Sequence, residues 1–245
     1  MDDIEKFDMF LSSYSKYYQT VSEISMPCVI HEKNCPSIKM KECTSRSKVP
    51  LVSSDFMMYS FDDIIRDVET IDICNLPSTC DGLYLDKKRK ILYFIEFKGV
   101  QIDQSSQRGE LQRIIAQMNK DNRCYEKYYE RLKRVYNMYG DEVSFKLRLK
   151  PYETITLALP NVYKDYCNKN NISKEDMIDI TKFLEDVRKV YIVVAISDRY
   201  NPAADRVGSY RFLLRKPFDR MKELGLFEMV EIMDHNEFKF FLEKI

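Results

Sequence analysis

Cys80-Asp81-Gly82-Leu83-Tyr84-Leu85, then Asp86-Lys87-Lys88-Arg89-Lys90, then Ile91-Leu92-Tyr93-Phe94-Ile95-Glu96-Phe97-Lys98-Gly99 follow one another without a gap. The first stretch is short and apolar behind its acid, the second is a charged turn, and the third is a β-rich apolar run that Gly99 breaks. That succession predicts a hairpin with a buried second strand. Side chains two apart on a strand share a face, so Glu96 and Lys98 point together while Phe97 turns away. Asp81 opens the first strand, which brings three polar groups to one end of the hairpin.

Phosphodiester hydrolysis needs a cation that neutralises phosphate charge and makes a water nucleophilic. Mg²⁺ takes hard oxygen ligands, commonly one or two carboxylates plus waters and the substrate phosphate. A nearby lysine stabilises the charged transition state or helps deprotonate the water. Acid-x-Lys tripeptides are common by chance, and this chain has three: Asp86-Lys88, Glu96-Lys98 and Glu237-Lys239. Asp86 belongs to the charged turn, and Glu237 follows Asp234-His235-Asn236 where a helix is expected to open. Only Glu96-Lys98 ends an apolar strand paired with a strand begun by an acid. The competing explanation is a solvated hairpin end carrying a surface ion pair.

With Cys80-Asp81-Gly82-Leu83-Tyr84-Leu85 and Tyr93-Phe94-Ile95-Glu96-Phe97-Lys98-Gly99 in place, the chain resembles the PD-(D/E)XK, or restriction-endonuclease-like, nuclease superfamily. The resemblance covers roughly residues 60–120. It implies that Asp81 and Glu96 bind the metal, Mg²⁺ or Mn²⁺, that the Phe97 carbonyl joins them, and that Lys98 assists the attacking water. One departure is the residue before Asp81, which is Cys80 rather than proline; the nearest proline is Pro77. The family often adds a fourth polar group from a flanking helix. Gln112 or Gln117 after the second acid, and Asp67 or Glu69 before the hairpin, are the candidates, each also readable as an ordinary solvated helical position.

Elsewhere, apolar spacing over residues 4–24 predicts an amphipathic helix, and residues 27–54 read as irregular. Residues 60–69 predict a helix with Ser60 as N-cap and Asp62 and Asp63 in its first turn. Residues 106–139 show helical periodicity, with a tyrosine stripe at 125–139 that is either core-facing or a self-association surface. Thr154 to Leu159 reads as a strand stopped by Pro160, Ser173 as the N-cap of a helix running to Arg188, and Val190 to Ile196 as a central strand. Phe227 to Met233 reads as a last strand before a short C-terminal helix. Alternating strands and helices predict an α/β sandwich with a mixed central sheet flanked by helices. One domain over residues 1–245 is expected, its core at about 60–198, with residues 1–54 and 199–245 as elaborations.

Equal numbers of basic and acidic residues, 39 each, argue against coating nucleic acid by charge alone, but leave room for one basic groove. Two basic segments are candidate phosphate contacts: Lys87-Lys88-Arg89-Lys90, and residues 199–216 with Arg199, Arg206, Arg211, Arg215 and Lys216 against Asp205 alone. Both also read as plain solvated surface. Cys28, His31, Cys35 and Cys43 form a weak zinc pattern, since no two ligands have the usual spacing. An odd count of seven cysteines without a secretory signal predicts reduced thiols and a cytoplasmic location. No stretch spans a bilayer, so no membrane partner is expected. The resulting expectation is a DNA-cleaving enzyme, with RNA as substrate and a homodimer as open options. Its rival is a catalytically inactive module of the same fold that binds nucleic acid or protein.

Overall fold

The computed structural model describes residues 2–26, 50–68, 77–98, 146–195 and 206–245. Six strands form one sheet in sequence order: β1 (Tyr18–Thr20), β2 (Met57–Ser60), β3 (Gly82–Asp86), β4 (Ile91–Lys98), β5 (Arg188–Ala195) and β6 (Met229–Met233). The first four are mutually antiparallel, whereas β5 pairs parallel to β4 and β6 parallel to β5. The sheet is therefore mixed and the class α/β, as the alternation of patterns predicts. It draws β1, β6 and all but the last residue of β2 from outside residues 60–198.

β4 is the hinge of this arrangement. It is buried along nearly its whole length because both of its neighbours are strands and both of its faces are covered. Leu92 and Phe94 face one core, shared with Leu83, Leu85, Tyr191 and Val193 and covered by α1 (Asp3–Ser12), α3 (Phe61–Arg66), α4 (Leu159–Lys169), α5 (Ile180–Asp186) and α6 (Arg206–Glu223). Ile91, Tyr93, Ile95 and Phe97 face the other, covered by α2 (Val21–Ile24) and α7 (His235–Leu242). Glu96 and Lys98 thus continue the Leu92–Phe94 face, while the Phe97 ring lies on the opposite one against Phe238, centroids 5.8 Å apart.

Gly82, the residue after Asp81, lies under the Met58 side chain. A Cβ there would sit 2.6 Å from Met58 Sδ, so any side chain at this position requires the thioether end of Met58 to shift.

Three local expectations are overturned. The helix predicted for residues 4–24 stops at Ser12, because the Ser13 hydroxyl bonds back to the Phe10 carbonyl (2.6 Å) and Tyr18–Thr20 peels off to pair with β2. A new capping box, Thr20 with Glu23, then starts α2. Thr154 to Leu159 is not a strand. Residues 146–153 are already helical and run into a π-helical turn, Thr154–Ala158, and then into α4. Pro160 lies inside this helix rather than ending it. Having no N–H, it cannot close an α-type bond, and its ring crowds the preceding turn; the widened turn just before it absorbs both problems. Finally, Ser173 caps only a short turn through Asp176, and α5 begins later with Asp179 as its N-cap.

The helical stretch 146–158 is fastened to the sheet by a buried hydrogen bond from Tyr191 Oη to the Leu147 carbonyl, 2.9 Å. Tyr191→Phe leaves that carbonyl unsatisfied and should lower unfolding free energy by about 1–3 kcal/mol, read as a shift of the urea midpoint at constant m-value.

Candidate active site

Asp81 stands one step ahead of the Gly82↔Ile95 pair, which sets it against Glu96 across the β3–β4 ladder on the Leu92–Phe94 face. Its position is fixed by its neighbours. The Phe97 N–H donates to Asp81 Oδ2 at 2.6 Å, which leaves Oδ1 turned to the remaining groups. The Cys80 N–H donates to Thr154 Oγ1 at 3.0 Å, the Ser78 N–H donates to the Glu153 carboxylate, and the Thr79 hydroxyl donates to Asp62. A proline at position 80 would forfeit the bond to Thr154.

Glu96 has no exposure at all, and a carboxylate so placed must be paired. Two ammonium groups supply this. Lys98, 28% exposed, pairs with Glu96 Oε1. Lys150, 16% exposed, lies 2.8 Å from Oε1, donates to Oε2 at 3.0 Å, and lies 3.7 Å from Asp81 Oδ1. Asp81, Glu96 and Lys98 therefore come together, and Lys150 sits among them. Asp62, in the first turn of α3, adds a third carboxylate to their electrostatic surroundings.

These contacts separate the carboxyls. Burial first, then the charge of Glu96, pushes the Asp81 carboxyl up to about 7, against the opposing pull of Lys150. Burial also pushes at Glu96, but Lys150 and Lys98 outweigh it and hold that carboxyl below its ordinary range. Burial opposes the Lys150 charge too, yet Glu96, Asp81 and Asp62 together hold its ammonium well above the usual lysine range. Asp62 is raised, chiefly by burial.

Lys150 and Asp62 escaped the sequence reading. The signal for Lys150 was the spacing of Leu147, Thr154, Ala158 and Val162 on the core side of one helix, hidden by a strand-like composition. Asp62 was placed in its helix turn, but the fourth polar group was sought at Asp67 and Glu69. Asp67 instead pairs with Lys16, and Glu69, Gln112 and Gln117 lie outside the described residues. So do Cys28, His31, Cys35, Cys43 and the tyrosine stripe at 125–139.

Of the two basic segments, the turn 87–90 carries structural pairs, and Arg199 and Asp205 of the other lie outside the described residues. The turn 87–90 is at the far end of β4, roughly 20 Å from Glu96 at the usual rise per strand residue. There Lys87 pairs with Asp8 (2.9 Å), Lys90 with Asp2 (3.8 Å), and Arg89 with Asp86 (3.3 Å) and the Lys244 carbonyl (2.8 Å). Of residues 199–216, the described part is not a loop but the first half of α6. Arg211 is neutralised after all, by both oxygens of Glu237 (2.8 and 2.6 Å), and also donates to the Ile232 carbonyl. Arg215 and Lys216 are exposed.

Among the described residues, no group of three or more His, Cys, Asp or Glu side chains is arranged to hold a metal ion, and no helix is long and apolar enough to cross a membrane. Two carboxylates with hard oxygen donors are nevertheless a sufficient protein contribution for Mg²⁺, which keeps several waters. Asp81 Oδ1 and Glu96 Oε1 fit that role: Oε1 has no hydrogen bond of good geometry, although both ammoniums approach it. The chain matches no protein-family model, no curated protein and no solved structure.

A pH dependence follows from Asp81. A carboxyl raised to about 7 binds a proton in the native state that the unfolded state has already lost, so in metal-free buffer it withdraws stability as pH rises from about 4 to about 7. Glu96, being depressed, acts oppositely and only as pH falls below the ordinary Glu range. Urea midpoints measured across that window should decline for the wild type, and Asp81→Asn should flatten the decline.

Proposed function

We propose that this protein is a metal-dependent nuclease of the PD-(D/E)XK type, with a restriction-endonuclease-like core, that hydrolyses phosphodiester bonds of DNA. The observation that carries the reading is the meeting of Asp81 and Glu96, from adjacent strands, with Lys98 on the same face. The sheet order, antiparallel up to β4 and parallel beyond, supports the fold assignment.

In this reading Asp81, Glu96 and the Phe97 carbonyl hold Mg²⁺ or Mn²⁺, which supplies charge neutralisation and a more acidic water. The protein's own groups do the rest. The Phe97 N–H orients Asp81 so that Oδ1 is presented to the site. Lys98, the more exposed of the two lysines, presents its Nζ donors to an incoming phosphate and stabilises the charge that develops on it. The walls of the Leu92–Phe94 core keep water from Glu96, which strengthens each of these interactions. The site of action proposed is the cytoplasm.

A second reading is a non-catalytic module that binds nucleic acid or protein. It is favoured by one observation: both oxygens of Glu96 are already engaged by lysine ammoniums.

The purified protein should cleave DNA with Mg²⁺ or Mn²⁺, and EDTA should abolish the cleavage. Lys98→Ala should lower the rate by about 10²–10⁴-fold while far-UV circular dichroism is unchanged. Binding of DNA with linear, circular and single-stranded substrates all left intact would decide for the module.

A further inference from the structure

Lys150 spans the same two carboxylates that would hold a divalent ion. Its ammonium contacts both oxygens of Glu96, at 2.8 and 3.0 Å, and lies 3.7 Å from Asp81 Oδ1. The side chain did not arrive there by collapse of a loose surface group. Its own carbonyl accepts the Thr154 hydroxyl at 2.7 Å, Thr154 accepts the Cys80 N–H, and Leu147 three residues back is tied to Tyr191. The backbone is thus clamped on both sides of the lysine. The ammonium itself is held by the carboxylates, through charge and the hydrogen bond to Glu96 Oε2, on a flexible stem.

We propose that Lys150 is a built-in competitor of the divalent cation: the ion enters the Asp81–Glu96 pair only by displacing the ammonium. The inference rests on the reading above that this pair binds a divalent ion. A divalent ion on these oxygens meets the Lys150 ammonium at contact distance, and like charges repel most strongly where water is excluded; Lys98 already adds a second positive charge at Oε1. Without metal, the ammonium keeps two buried carboxylates compensated and the fold intact. With metal, the positive end of Lys150 swings to the rim of the site, where the complementary group is a phosphate of the substrate. The affinity for metal is then set by a difference, the ion's attraction to the pair less that of the lysine it expels. Lys98 differs from Lys150 in that it contacts Glu96 alone and stays partly in solvent, so its removal should alter metal affinity less.

Mn²⁺ titrations without nucleic acid, followed by loss of the free-ion electron paramagnetic resonance signal and by calorimetry, test this on the wild type, Lys150→Met and Lys98→Met. Lys150→Met should bind Mn²⁺ at least ~tenfold more tightly than the wild type. It should also gain more in melting temperature on adding Mn²⁺, because the ion restores the lost compensation. Equal or weaker affinity in Lys150→Met overturns the competition and leaves the two-carboxylate metal site standing. No Mn²⁺ binding by either protein at millimolar concentration sinks the metal site and the competition together. Should Lys150→Met not fold without metal, the wild type answers alone. Acetylation of Lys150 by an amine-reactive ester, quantified by mass spectrometry, should be slow in EDTA and several-fold faster in saturating Mn²⁺. Labelling that is unchanged or slower with Mn²⁺ overturns the proposal.

Discussion

A carboxylate with no contact to solvent cannot remain charged without cations beside it, and Glu96 is such a group at the end of the most buried strand. Its need for compensation organises this end of the sheet. Lys98 comes from the same strand two residues on, but Lys150 must be delivered by a helix crossing the sheet face. That helix is aligned by Tyr191 below Leu147 and by Thr154 against Cys80, and Glu153 takes the Ser78 N–H. The segment that carries Asp81 is thereby pinned to the segment that carries Lys150. Loss of the ammonium would leave two buried acids facing each other, which is far more damaging than loss of an exposed pair.

Charge is used differently at the two ends of the sheet. At the Asp86–Ile91 end, Lys87, Arg89 and Lys90 bind acids and a carbonyl from both termini of the described chain, so the basic turn is a docking point for α1 and for the residues after α7. Lys189 is spent in a similar way: its ammonium donates to the Leu184 and Val187 carbonyls and closes the end of α5. A protein of zero net charge can in this way hold several of its lysines and arginines in structural pairs and still concentrate two of them on one buried acid.

The hairpin was legible because it is local. The polar turn, the apolar run and the two-residue spacing all fall within eighteen consecutive residues, 81–98, and the period-2 rule alone puts Glu96 and Lys98 together. β5 was legible for the same reason, as an apolar run rich in β-branched residues, Val190, Ile192, Val193 and Val194. Lys150 was not, because its partners are 54 or more residues away and because Thr154-Ile155-Thr156-Leu157-Ala158-Leu159 has the composition of a strand. There the packing of Leu147, Ala158 and Val162 against the core overrode local propensity. Arg211 misled in the opposite direction. Its neutralising partner, Glu237, lies outside the window in which charges were counted.

The π-helical turn at Thr154–Ala158 sets the facing of the two halves of this helix. Its Leu159 N–H reaches back to the Thr154 carbonyl, one residue further than an α-helix allows, so the turn takes up one residue more than regular winding would. Winding these same residues as regular α-helix would rotate residues 146–153 about the helix axis by about 100° relative to α4. Either Lys150 would leave Glu96 or Val162 would leave the core; both could not stay. Removing one residue together with the wide turn would cancel that rotation. The width of the turn, rather than any particular residue within it, keeps the lysine in register with the sheet.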